Sequence, residues 1–511
     1  MTTRTHNSIR NSKIGILKFL IQLIFQFVIR TILIYVLGKE YVGLNGLFSN
    51  IIGMLSLAEL GIGSAIVFSM YKPIEEGDEK TIGKLLCFYK RCYFYIALLV
   101  TVVGLILIPF LPKLANGGYP GDVNIYIIYF SYLLNTLISY FMAHKRALLF
   151  ANQRNDIENK IKILCLFLLN ITQIILLLIF KSYNIYIIVM PAFTILESIL
   201  ISVKSKKLFN IEENKDKLDV ELKSEIKKNV VAMSMHQIGG VFVSSTDNIL
   251  LSIIFGLSAV GVYTNYNLII TSLISIFSLL ISATQASVGN KIVASSKEDV
   301  FKNYNNLNFL FVIFVGWCAI CLICLFQDFI QLWTKGQDYL LPLSTVFIIV
   351  FAFYFKESLG VTYMFKNAAG LMWFDKLSPI IQGVTNIGFS ILFCKLLGVG
   401  GVFVGTLLST LVAPFWMVPR TLFKHYFNKS FWEYFKKYLI YTIILFLVGG
   451  FTFFICNLLN FSLLVNFILK MIICVILPTI LFLLIFFKTA EFKYIIEIIK
   501  DIFSKLTNKK Q

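Results

Sequence analysis

The sequence predicts an all-α polytopic membrane protein, and three observations carry that expectation. The 511 residues are 58% hydrophobic and 14% charged, with a mean hydropathy of +0.81; a soluble chain carries about 25% charged residues. Apolar windows of about 20 residues recur along the whole length, each long enough to cross roughly 30 Å of hydrocarbon. The windows are continuously apolar rather than alternating, which excludes a membrane β-barrel.

Fourteen transmembrane helices are expected, near 14–37, 44–70, 84–111, 123–142, 158–180, 184–203, 229–255, 259–288, 306–327, 340–363, 374–397, 399–419, 434–458 and 463–487. They divide into two six-helix lobes in parallel pseudo-repeat plus two extra C-terminal helices. The N-terminal lobe covers 1–203, a cytoplasmic linker 204–228, and the C-terminal lobe 229–432. Helices 13 and 14 occupy 433–488, and a basic cytoplasmic tail 489–511. The linker reads as a solvated connector with a short amphipathic helix near Val220–Lys228. The polar start, Met1 to Lys13, runs into a span with no small-residue cleavage site, so that span is expected to be retained.

Charge sets the orientation. The formal net charge of +19 is split among many short loops, which fits membrane topology and not nucleic-acid binding. About 37 of the 46 lysines and arginines fall in the two tails and in the loops after even-numbered spans. Lys39, Lys113, Lys181, Lys335 and Lys395 lie in the opposite loops. Basic residues stay on the cytoplasmic side, so both termini are expected there. The same alternation supports an even span count independently of hydropathy.

The two halves echo each other. Leu37-Gly38-Lys39-Glu40-Tyr41-Val42-Gly43-Leu44 precedes the second span, and Phe255-Gly256-Leu257-Ser258-Ala259-Val260-Gly261-Val262 the eighth; both glycines recur at an offset of 218. Six spans per repeat is even, so the copies point the same way through the membrane. Repeats of this kind build two-lobed alternating-access carriers. No G-x-x-x-x-G-K-[ST] occurs, so no P-loop ATPase is expected, and no cofactor. Gly398 to Gly405 superficially resembles a dinucleotide turn, but it lies between apolar spans and reads as a tight helix hairpin. Nine cysteines are scattered. Cys318, Cys321 and Cys324 sit in an apolar helix without nearby His or acidic partners, so they are expected to pack rather than bind metal, and no disulfide is expected.

Polar residues inside the spans are the candidate functional groups. Lys18, Gln22, Gln26 and Arg30 stand four apart in the first span. Each step of four rotates about 40° around the helix, giving a gently drifting stripe. Facing lipid, the stripe would cost on the order of several kcal/mol, so it faces protein or water. A cationic, amide-lined stripe points to a cavity for a polar, anionic cargo, and hence to a transporter. The alternative is an ion pair between Arg30 and Glu59, with Lys18 snorkelling to the interface. Glu59, in the middle of the second span, is either that partner or a titrating carboxylate that couples transport to H⁺ or Na⁺.

Further candidates follow. In the seventh span His236 and Asp247 share a face about 16 Å apart, beside a second face of Ser234, Gln237, Ser245, Asn248 and Ser252. Asp247 reads as a coupling carboxylate or a packing anchor, and His236 as an interfacial residue. The eighth span carries Thr264, Asn267, Thr271, Ser275, Ser278, Ser282, Gln285 and Gly289 on one face, either a cavity wall or a tight helix contact. Asn267 and Gln285 suit a sugar-facing wall. Lys356 and Glu357 are neighbours in the tenth span, about 100° apart on a helix, so at least one is expected to point inward. Lys470 is unpaired in sequence, either attracting a lipid phosphate or snorkelling.

Gly38-Lys39-Glu40-Tyr41-Val42-Gly43, with Leu55-Ser56-Leu57-Ala58-Glu59-Leu60-Gly61-Ile62-Gly63, resembles the opening of bacterial polysaccharide flippases. Thr246-Asp247-Asn248-Ile249-Leu250-Leu251-Ser252, then Gly256 to Tyr263, is similar to the start of their second lobe, and Asn386 ahead of Gly398 to Gly405 also fits. The family is the Wzx-type lipid-linked oligosaccharide flippases of the multidrug/oligosaccharidyl-lipid/polysaccharide exporter superfamily. The resemblance spans nearly the whole chain and implies a central cavity and a glycan carried on undecaprenyl pyrophosphate. It also implies the bacterial cytoplasmic membrane, surface-polysaccharide assembly, and polysaccharide polymerase and chain-length proteins as partners. Under it, Lys18, Gln22, Gln26, Arg30, Asn267, Gln285 and Lys356 would bind cargo, with Glu59, Asp247 and Glu357 coupling to ions. A membrane glycan polymerase or ligase would need a sizeable outer loop, and the longest expected here, near Leu111–Asp122 and Phe326–Tyr339, are short. A lipid II flippase and a cation/drug antiporter remain as alternatives.

Overall fold

The computed structural model describes residues 2–59, 61–116, 118–334, 336–494 and 496–497, with side chains placed for all but 2–9, 58, 232–233, 235–239, 241–244, 286 and 337. The described residues are predominantly helical, and no strand occurs among them. Two compact units form, Met1–Thr264 and Asn265–Gln511.

The first unit holds α1 (Thr2–Val36), α2 (Lys39–Leu55), α3 (Ile62–Glu76), α4 (Glu79–Leu107), α5 (Leu111–Leu114), α6 (Ile125–Phe141), α7 (Ala143–Ala151), α8 (Asn155–Phe180), α9 (Tyr183–Ile188), α10 (Met190–Leu208) and the first part of α11 (Val220–Ala294). Here α1 lies along α8, α10 packs on α6 and α8, and α4 packs on α3 and α6. The second unit holds the rest of α11, then α12 (Lys297–Thr334), α13 (Leu343–Glu357), α14 (Gly360–Ala368), α15 (Ser378–Leu397), α16 (Val399–Val412), α17 (Pro414–Leu422), α18 (Phe431–Asn457) and α19 (Leu463–Phe486). Its hub is α12, in contact with α13, α18 and α19. Buried hydroxyls tie the helices: Tyr354 to Thr442 at 2.9 Å and Ser358 to Tyr438 at 2.8 Å. The α15–α16 turn is the tight hairpin expected. A Cβ on Gly401 would lie 2.1 Å from the Phe393 carbonyl oxygen, so only glycine admits so close a crossing.

Among the described residues, eleven helices are long and apolar enough to cross a membrane, or twelve if α6 and α7, bent by 50°, make one span. The expectation of fourteen exceeds this by two, and both places are helix breaks. The expected second span is α2 and α3 separated by a 3₁₀ turn, Ser56–Glu59, and by Gly61 at φ 68°. The expected seventh and eighth spans form the 75-residue α11, interrupted by Gly256 alone at φ 81°, ψ 174°. Hydropathy registers neither break.

The units part inside α11 and not at the 204–228 linker. The first part of α11 is held in the first unit, with Ser252 Oγ donating to the Leu114 carbonyl at 2.6 Å. The linker is docked rather than freely solvated: Glu213 accepts from Lys90 at 2.8 Å and Lys145 at 3.3 Å. The amphipathic helix expected near Val220–Lys228 is the start of α11.

The sequence repeat appears as a reciprocal crossing within Met1–Thr264. Gly38 (φ 104°, ψ −177°) and Gly256 adopt nearly the same left-handed break. Beyond each, the chain passes backbone to backbone. A Cβ on Gly43 would lie 2.0 Å from the Leu257 oxygen, and one on Gly261 1.9 Å from the Lys39 oxygen. Leu257 stands 218 residues after Lys39 and Gly261 218 after Gly43, so each copy makes the same contact on the other.

Candidate cargo and coupling sites

Arg30 sits on α1, an otherwise apolar helix. Its Nη1 donates to Thr264 Oγ1 at 2.9 Å. Thr264 fits there because Gly46 faces it: a Cβ on Gly46 would lie 2.7 Å from Thr264 Cγ2. The titratable groups around the guanidinium are Tyr186, Tyr183 and Tyr132. Tyr183 stacks on Tyr186 with ring centres 5.6 Å apart, and Tyr132 on Phe48 at 6.1 Å. No carboxylate among the described residues stands within ion-pair distance of Arg30. The ion pair with Glu59 is therefore not formed. The bond to Thr264 uses one of the five donors of the guanidinium.

The stripe runs from Arg30 back to Lys18, about 18 Å along the helix. Gln22 is half-buried and Gln26 exposed. Lys18 is half-buried among Lys162, Glu158, Glu197 and Arg146. Those residues are paired with each other, Arg146 to Glu197 at 2.8 Å and Lys162 to Glu158 at 2.5 Å. Lys18 thus ends in a charged cluster rather than at bare interface.

Glu59 lies at the break between α2 and α3. The Tyr93 hydroxyl donates to its Oε1, and Tyr93 stacks on Tyr89 with ring centres 4.5 Å apart. Gly63 leaves room for both hydroxyls, which a Cβ would meet at 2.6 and 2.9 Å. Glu59 opens into a cavity of about 740 Å³ shared with Tyr71, Tyr140, Arg146, Glu158 and Lys162.

The other candidates divide. Ser245, Asp247, Asn248 and Ser252 are buried in the first unit, with Tyr263 in electrostatic reach of Asp247. The His236 and Gln237 side chains lie outside the described residues. Along the second part of α11, Asn267 is half-buried and Gln285 exposed. Thr271 and Ser275 return their hydroxyls to their own helix at 2.8 Å. Lys356 is exposed and Glu357 half-buried; neither makes an ion pair among the described residues. Lys470 is paired after all, 2.7 Å from Asp328 Oδ2 as a charge contact without an aligned hydrogen bond. Sequence reading also missed the fully buried pair Lys366–Asp375, nine residues apart around the α14–α15 connection. Cys324 is grouped not with Cys318 and Cys321 but with Cys456 and Cys474.

No family model and no curated protein sequence matches the chain. Solved structures do. The lipid II flippase MurJ in an inward closed conformation is similar at TM-score 0.65 and 15% identity, over 94% of this chain and 99% of that one. The Vibrio cholerae MATE transporter VcmN is similar at TM-score 0.57 and 15% identity, over 85% and 100%. An outward-facing multidrug resistance MATE family transporter of the MOP superfamily is similar at TM-score 0.51 and 16% identity, over 81% and 95%. At such identities the likeness is one of fold: the chain is a multi-pass membrane protein built on the architecture these carriers share.

Proposed function

We propose that this chain is a flippase for polyprenyl-pyrophosphate-linked oligosaccharide, working across the bacterial cytoplasmic membrane in surface-polysaccharide assembly. The observation that carries the reading is Arg30: a guanidinium inside a membrane helix, bonded to one hydroxyl, framed by tyrosines and lacking a carboxylate partner. Such a group is stable only if an anion visits it or water reaches it. A pyrophosphate offers paired oxygens that match the guanidinium fork. Gln22, Gln26 and Lys18 extend the same stripe and suit glycan hydroxyls. Asn267, Gln285 and Lys356, in the unit Asn265–Gln511, are proposed separately as cargo-contacting residues.

Translocation draws on an H⁺ or Na⁺ gradient, with Glu59 as the first coupling carboxylate and Asp247 and Glu357 behind it. Glu59 supports this best because it stands in a cavity at a helix break. The proposed topology has fourteen spans with both termini cytoplasmic, and polymerase and chain-length proteins act beside the flippase. The test is gradient-driven flipping of a lipid-linked oligosaccharide in proteoliposomes. Wild-type transport that persists with every ion gradient collapsed removes the coupled mechanism.

A second reading, lipid II flippase, is favoured by the extent of the MurJ likeness. Lipid II is itself a polyprenyl-pyrophosphate glycan, so Arg30 serves either cargo. Parallel flipping assays with the two lipids separate them.

A further inference from the structure

The unit Asn265–Gln511 contains three thiols that transport does not use. Cys324 on α12, Cys456 on α18 and Cys474 on α19 are all buried, and their Sγ atoms lie within 4.8 Å of one another. A single buried cysteine is ordinary packing. Here three helices aim one soft donor each at a common point. Three thiolates around one metal, with metal–sulfur bonds of about 2.3 Å, place their sulfurs about 4 Å apart, so the group need close by less than about 1 Å. A disulfide would join two of the three and leave the third thiol without a role.

The surroundings supply charge. Lys470 precedes Cys474 by one turn of α19, and Asp328 follows Cys324 by one turn of α12, so each pair shares a helix face. The two charged residues meet at 2.7 Å across those faces, and Lys470 is also in electrostatic reach of Cys456. Binding one divalent ion releases three thiol protons and leaves a tris-thiolate complex of charge −1. The Lys470 ammonium, held by Asp328, stands in electrostatic reach of that residual charge.

We infer that Cys324, Cys456 and Cys474 form a three-thiolate site for one soft divalent d¹⁰ cation of the zinc or cadmium class, stapling α18 and α19 to α12. The soft donor set selects such ions over Mg²⁺ or Ca²⁺.

The test uses the full-length chain, purified in detergent under reducing conditions and titrated with Cd²⁺ alone. An ultraviolet thiolate-to-cadmium charge-transfer band should saturate at one ion per chain. Bound Cd²⁺ should protect these three cysteines from a small alkylating reagent, mapped by mass spectrometry, while Cys318 and Cys321 gain no protection. Cys324→Ser, Cys456→Ser and Cys474→Ser should each weaken Cd²⁺ binding by about tenfold or more, and Lys470→Met by less. The protection map is read on the wild-type chain, so it decides even where a serine variant fails to fold. Absence of the band, equal alkylation with and without Cd²⁺, an undiminished band in the triple serine variant, or a disulfide between any two of the three in unreduced protein would each overturn the site.

Discussion

Arg30, half-buried, and Lys366, fully buried, are both cations on apolar helices, and each is held in a different way. Lys366 is bonded to Asp375, both side chains are about as buried as any in the chain, and the Tyr363 ring lies 5.1 Å from the ammonium. Lys470 follows the same rule with Asp328. Arg30 has a hydroxyl and three tyrosines instead. A paired buried cation is committed to the fold, because removing either partner strands the other. A half-buried cation without a carboxylate partner carries no such commitment and, under the proposed function, would take an anion from outside. Under the proposed function, the contrast is that between a structural charge and a cargo-binding one.

The strongest way to break that contrast is to remove each cation in turn. Lys366→Met should cost about 3–5 kcal/mol by leaving Asp375 unpaired, seen as loss of folded protein from the membrane. The double change Lys366→Met with Asp375→Leu should recover most of it. Arg30→Ala, by contrast, should accumulate normally and lose flipping in proteoliposomes, while Arg30→Lys, without the bidentate fork, restores only part. If Arg30→Ala disappears from the membrane as Lys366→Met does, Arg30 is structural and the contrast fails.

Glu59→Gln sharpens it from the acidic side. A group that couples transport must lose its charge on binding H⁺ or Na⁺. The permanently neutral variant should bind cargo and fail to move it uphill. Full gradient-dependent activity in Glu59→Gln would remove this residue from the coupling.

The smallest expected effect concerns Glu213 in the linker. Burial pushes its carboxyl up, but the bonded Lys90 ammonium, with His144 and Lys145, outweighs that and holds it below the usual carboxylate value. A depressed carboxylate stabilises its contact above its unfolded pKa and loses that contribution as pH falls through the folded one. The linker should therefore resist limited proteolysis at neutral pH and become cleavable in acid below the ordinary carboxyl range. Glu213→Gln should be cleaved faster already at neutral pH; unchanged cleavage would mean the docking rests on other contacts.

Hydropathy and loop charge made the helical membrane fold legible, because both are properties of whole segments. The Arg30 stripe was legible too, since a helix converts fourfold spacing into a face. What stayed hidden depends on distant residues or on single dihedrals. Tyr93 reaches Glu59 from 34 residues away, and Lys470 meets Asp328 from 142. Gly61 and Gly256 break helices that read as continuous apolar runs. Thr264 stood in the predicted polar stripe, but nothing in its spacing pointed to Arg30.

The crossing of Gly43 on Leu257 and of Gly261 on Lys39 is an isologous contact, the kind a two-fold axis imposes on a symmetric dimer. Strict symmetry would give everything near the axis twice. One turn further along it fails: the repeat partner of Gly46 is Thr264, and that of Arg30 is Asn248. The side chain missing at Gly46 is the space that Thr264 fills, and the Thr264 hydroxyl is the one Arg30 holds. Among the described residues, the duplicated scaffold thus brings the Arg30 guanidinium to the Thr264 hydroxyl in one copy without repeating the contact in the other. Under the proposed function, a pseudo-symmetric joint so desymmetrised would offer one anion seat in one orientation, giving a two-fold frame a direction.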